Sequence, residues 1–91
     1  MLFVIHAQDK TDSVELRKST RDAHLSYLAD FVTLVGGPIL DAKGAMCGTC
    51  MILEAEDLDA AKSFAANDPY NQAGLFADVA VHEFKKVSWP T

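Results

Sequence analysis

Arg17, Arg21 and His24 are the first residues in this sequence whose types and spacing could do chemistry. Both arginines of the chain lie within seven residues of that histidine, in a protein of formal net charge −5. Residues three and four apart are neighbours on a helix surface, so the three side chains share one seam. An imidazole titrates near neutral pH, and guanidinium forks beside it favour a small anionic ligand. The same residues also suit a solvated basic face, with the arginines paired to acids such as Asp22 or Glu15. Asp68 is the second candidate. It precedes Pro69, which pushes it out of the α region and turns its carboxylate away from the preceding helix. Set against His24, it would hold one ring N–H and expose the other nitrogen as a base. Otherwise it is an ordinary helix stop.

Gly37 and Pro38 mark a strand break or bulge, which is also a way to free backbone N–H groups for a ligand. Tyr70 closes a cleft or merely packs. Cys47-Gly48-Thr49-Cys50 has the spelling of a redox or zinc motif. It runs into Met51-Ile52-Leu53, which reads as a strand rather than a helix N-terminus, and no second ligand pair follows. The cysteines therefore read as small packed hydrophobes rather than as a redox pair or a zinc site. Ser19, Thr20 and Ser26 lack a nucleophile motif such as G-x-S-x-G. His82 alternates with Ala80 and Phe84, which assigns it to a sheet face or a subunit seam. His6 has no assigned role.

These residues must be held by a single domain, since 91 residues leave no room for a second. Hydrophobic residues make up 49% of the chain, rich for so small a unit, and pairing of copies would bury the surplus. The acidic balance and the lack of a basic tract argue against nucleic acid. No signal peptide or membrane-length apolar run is evident, so a soluble cytoplasmic protein is expected.

Leu2–Ala7 reads as a strand closed by Gln8-Asp9-Lys10-Thr11. Asp12 and Glu15 resemble a capping box, predicting a helix from Ser13 to about Asp30. Leu16, Ala23, Tyr27, Leu28 and Phe31 form its apolar stripe, and Arg17 and Lys18 begin its polar side. Val32–Val35 is a second strand stopped by Gly36-Gly37-Pro38, with resumption at Ile39-Leu40. Asp41–Gly44 is a turn and Cys47–Ala55 a third strand. Asp57 caps a second helix carrying Leu58, Ala61, Phe64 and Ala65, ended by Asn67-Asp68-Pro69. Tyr70–Gly74 is a loop or short helical turn. Leu75–Val87 is the last strand, and Trp89-Pro90-Thr91 a tail. The order β-α-β-β-α-β with right-handed crossovers gives a ferredoxin-like, four-stranded antiparallel sheet with both helices on one face. The bare face then fits a face-to-face dimer.

The joint pattern Arg17-x-x-x-Arg21-x-x-His24-Leu25, Gly36-Gly37-Pro38 and Asn67-Asp68-Pro69-Tyr70 with Ala73-Gly74 resembles the YciI-like (YCII-domain) family. The likeness runs from Met1 to Val87. It implies a dimeric α+β barrel with a His/Asp-centred cleft that needs no metal or organic cofactor. By matching motif the pair is His24 and Asp68, with Arg17, Arg21, Gly37, Pro38 and Tyr70 toward substrate. One family relative is a dehydrochlorinase of a chlorinated hydroxyhydroquinone, and the wider fold group includes a muconolactone isomerase. The reading is a lyase, isomerase or dehydrohalogenase using His–Asp acid–base chemistry on a small anionic, phenolic or carbonyl substrate. The alternative is a non-catalytic dimer binding a metabolite or a partner protein. The turn over Asp41–Met46 is shorter than in close relatives.

Overall fold

The computed structural model describes residues 1–90, so Thr91 of the expected tail lies outside the described residues. The chain runs β1 (Leu2–Asp9), α1 (Val14–Leu28), β2 (Val32–Leu40), β3 (Met46–Glu54), α2 (Leu58–Asn67), α3 (Pro69–Gln72) and β4 (Phe76–Phe84). The four strands form one antiparallel sheet in the order β2-β3-β1-β4, the ferredoxin-like arrangement. Alternation along β1 sends Phe3, Ile5, Ala7 and Asp9 to the helix-covered side. Phe3, Ile5, Met51 and Leu53 meet Ala61, Phe64 and Ala65 there as the core, with Tyr27, Leu28, Val79 and Val81 packed at its margin.

Several local expectations are corrected. Gly36-Gly37-Pro38 does not stop β2, which continues through Pro38 opposite Thr49 to Leu40. Because β2 is an edge strand, the missing proline donor costs no central ladder bond. Asp12 does not cap α1; its φ of 56° places it in a left-handed turn, and Ser13 occupies the cap position without a side-chain cap bond. The expected stripe holds at its C-terminal end, where Tyr27 and Leu28 meet the core and the Phe31 ring lies edge-on to Phe64 at 4.7 Å, while Leu16 and Ala23 are exposed. Arg17, assigned to the polar side, is buried. The inner seam of α1 is instead Arg17, Arg21, His24 and Leu28, all of which face one cleft. β3 begins one residue earlier than expected, and β4 ends at Phe84, leaving Lys85–Val87 outside it.

Gly48 explains part of the Cys-x-x-Cys spelling. A Cβ at this position would stand 2.5 Å from the Ala7 carbonyl oxygen across the strand pair. Gly48→Ala is expected to destabilise the fold by about 1–3 kcal/mol through overpacking against backbone. A thermal melt of the variant checks this, and an unchanged midpoint would contradict it.

Candidate active site

The inner seam of α1 faces β2 and β3 across a cleft of about 490 Å³. Arg17, Lys18, Arg21 and His24 line the helix side, Gly36, Gly37, Pro38 and Thr49 the sheet side, and Tyr70 one end. A Cβ on Gly36 would lie 3.1 Å from Met51 Cβ, so this glycine keeps β2 tight against β3 and the floor free of a side chain.

Asp68 has φ −58° and ψ 130°, the extended geometry expected before proline. Its carboxylate leaves α2 and accepts from the Tyr70 N–H at 2.9 Å, capping α3. The same oxygen, Oδ1, lies 2.8 Å from His24 Nδ1, and the two side chains are 8% (His24) and 2% (Asp68) exposed. A carboxylate accepts, which assigns the proton to Nδ1 and leaves a lone pair on Nε2. No buried side-chain nitrogen or oxygen among the described residues lacks a partner. Nε2 has no partner among the described residues, so it is the atom through which His24 reaches the cleft. Asp68 itself stands behind the imidazole, outside the cleft lining.

Tyr70 stacks on His24 with ring centroids 4.0 Å apart and planes at 18°. The Arg17 guanidinium carbon lies 4.6 Å from the same tyrosine ring. Arg17 in turn donates from Nε and Nη2 to the two Asp9 oxygens at 2.8 and 3.0 Å, and from Nη2 to Thr49 Oγ1 at 2.6 Å. Burial pulls the Arg17 pKa down, but bonding and attraction to Asp9 more than offset it, so the group stays above its ordinary value. Arg21 is exposed and forms no ion pair among the described residues, which leaves its charge directed at the cleft.

Burial raises the pKa of Tyr70, and Asp68 adds to that rise while Arg17 and Arg21 oppose it. Tyr27, whose hydroxyl donates to the Phe64 carbonyl, is raised by burial and then by Asp68. Both phenols stay neutral in the fold at a pH where they ionise in the unfolded chain. Stability from this source is complete below pH 10.0 and falls as pH rises toward the higher folded values. Melting temperatures are expected to drop above about pH 10, and less steeply in Tyr27→Phe. Equal alkaline slopes for the two proteins would refute this assignment.

A YCII-related domain profile matches residues 1–85. The chain belongs to the YCII-related family. Protein YciI of Escherichia coli is 42% identical, the match covering 96% of this chain and 99% of that protein. Among solved structures, 5-chloro-2-hydroxyhydroquinone dehydrochlorinase (TftG) from Burkholderia phenoliruptrix is 40% identical, with a TM-score of 0.87 over 93% of this chain and 94% of that one. That structure is a complex with 2,5-dihydroxybenzoquinone. An antibiotic biosynthesis monooxygenase, 18% identical with a TM-score of 0.59 over 97% of this chain and all of the other, shares the fold.

All the residues anticipated for the YCII-type site converge: Arg17, Arg21, His24, Gly37, Pro38 and Tyr70 on the cleft, and Asp68 behind His24. Asp9 and Thr49 were not anticipated. Asp9 was legible in principle, because it continues the inward alternation of Phe3, Ile5 and Ala7. Thr49 pairs with Ala7 across the sheet and shares that inner face. Cys47 and Cys50 are free thiols, and no group of three or more His, Cys, Asp or Glu side chains among the described residues is arranged to hold a metal. His6 and His82 are exposed on the opposite sheet face, away from the cleft. No helix among the described residues is long and apolar enough to cross a membrane.

Proposed function

We propose that this chain is an acid–base enzyme of the dehydrohalogenase type, acting on a small phenolic ring substrate that carries or develops negative charge. The observation that carries the reading is the His24 Nδ1–Asp68 contact of 2.8 Å, which leaves Nε2 as the base facing a cleft. The kinship with a 40% identical dehydrochlorinase supports the reaction type. A proton passes from a ring hydroxyl to Nε2 and returns to the chlorine-bearing carbon, giving a keto tautomer. Loss of a second hydroxyl proton then closes another carbonyl while chloride departs with the C–Cl electron pair. The net change is loss of H⁺ and Cl⁻, with no redox partner. Asp68 keeps the imidazole in the productive tautomer and favours the imidazolium once formed. Arg21 meets the oxyanion, and Arg17, Gly37, Pro38 and Tyr70 shape the pocket around the ring.

The test is chloride release from 5-chloro-2-hydroxyhydroquinone, with 2,5-dihydroxybenzoquinone as a binding probe. Turnover that depends on His24 supports the reading. Tight binding without turnover would favour a metabolite-binding module instead, and neither binding nor turnover would remove this substrate class.

The reading includes a homodimer formed through the sheet face that no helix covers. Val4, Ile52, Ala80 and Phe84 lie on that face, opposite in register to the core residues, and Phe84 is 42% exposed. Ile52→Asp is expected to convert the dimer to a folded monomer in sedimentation velocity. A wild-type monomer at micromolar concentration would refute the pairing.

A further inference from the structure

We propose that Asp9 is a positioning residue of the His24 site, acting through Arg17 and Tyr70, with Thr49 as the second anchor. The proposal rests on the acid–base reading above but is tested independently of it. The hydrogen bond to Asp68 fixes one atom of the imidazole and leaves the ring free to pivot about that bond. The stack on Tyr70, at 4.0 Å and 18°, sets the plane of the ring. Tyr70 therefore serves both partners, since its N–H also holds Asp68 Oδ1. The tyrosine ring is held in turn by the guanidinium of Arg17, which lies over it 4.6 Å from the ring centre, and by Phe76, edge-on at 6.0 Å.

That guanidinium is itself held by two strands. Asp9 from β1 takes it in a bidentate fork, and Thr49 from β3 accepts a third bond at 2.6 Å. Both side chains of the ion pair are 4% exposed. A buried pair of this kind seldom improves on apolar packing for stability alone, so its placement against the site calls for a role in the site. Asp9 also neutralises Arg17. The charged and titratable groups around His24 are Asp68 and Tyr70 from the α2–α3 corner, and Arg17, Lys18 and Arg21 from its own helix. With Asp9 in place Arg17 adds no net charge beside the imidazole, and Arg21 and Lys18 are left to meet the ligand. Without it an uncompensated cation would sit against the Tyr70 ring and oppose imidazolium formation.

Asp9→Asn keeps the shape and one acceptor while removing the charge; Thr49→Val removes only the third anchor. The readout is the ¹⁵N-detected titration of the His24 imidazole by NMR, which needs no substrate. In Asp9→Asn the midpoint is expected to fall by roughly half a pH unit or more, the effect of one added charge near a partly wet site. In the double variant Asp9→Asn/Arg17→Met, which removes both charges, it is expected to return toward the wild-type midpoint. Thr49→Val is expected to leave the midpoint in place and to weaken the ring-stacking shifts of Tyr70. If 5-chloro-2-hydroxyhydroquinone is turned over, Asp9→Asn and Thr49→Val are expected to lower kcat about tenfold with KM unchanged within about twofold. A folded Asp9→Asn protein with a wild-type His24 titration and stacking shifts would overturn the proposal, even with its melting temperature lowered. Absence of turnover in the wild type, with the titration shifts as expected, would instead count against the acid–base reading alone.

Discussion

His24→Gln is expected to lower turnover of a chlorinated hydroxyhydroquinone by about 10²–10⁴-fold, the range a positioned general base supplies. Glutamine approximates the size of the ring and keeps a polar tip, so the helix and the cleft should survive. What it lacks is a titratable lone pair at the cleft. Asp68→Asn tests the other half of the pair. Its amide oxygen can still accept from the Tyr70 N–H, but the pair no longer offers a carboxylate to the Nδ1 proton. The imidazole is then free to take the wrong tautomer, with an expected loss of up to ~10⁴-fold. Because the two residues act as a unit, the double variant should lose little more than the worse single one. Steady-state chloride release measures the loss, and retained binding of 2,5-dihydroxybenzoquinone shows that the cleft is intact. Full turnover in either folded variant would refute the assignment.

Asp9→Ala is expected to produce the largest loss of stability. Arg17 is 3% exposed, and the fork bonds of its guanidinium to Asp9 are its main compensation for leaving water. Removing one partner of a buried pair costs about 3–5 kcal/mol, because the other charge is stranded. For a domain of this size each kcal/mol lowers the melting temperature by roughly 4–8 °C. Removing both, as in Asp9→Leu/Arg17→Met, should cost far less, since no unpaired charge remains. A double-mutant cycle in urea separates the two cases. Equal destabilisation by the single and double changes would show that packing, rather than charge, dominates at this position.

Much of this protein is legible in one dimension. Alternation in β1 and β4, the helical periods around Ala61–Ala65, and the breakers at Asp41–Gly44 and Asn67–Pro69 suffice for the element order and thus the ferredoxin-like sheet. The geometry of Asp68 was also legible, because the restriction that proline imposes on its predecessor is local. Periodicity fails over most of α1, where the apolar stripe points to Leu16 and Ala23 while the buried residues are Arg17 and His24. A helix that packs a buried ion pair and an imidazole pair inverts the usual sign of the pattern. β2 outruns its expected stop for a related reason: glycine and proline break a central strand but are tolerated at a sheet edge, where β2 lies.

Residue order alone therefore settled which strands and helices form and which side chains could carry a proton. It could not settle that His24 and Asp68, separated by 44 positions, lie 2.8 Å apart, or that Asp9 reaches Arg17. Those contacts join segments whose distance in space is set by strand order and by the crossover of each helix over the sheet. Local preferences act over a few residues, whereas burial of an ion pair or an imidazole is decided only when the remote partner that satisfies it arrives.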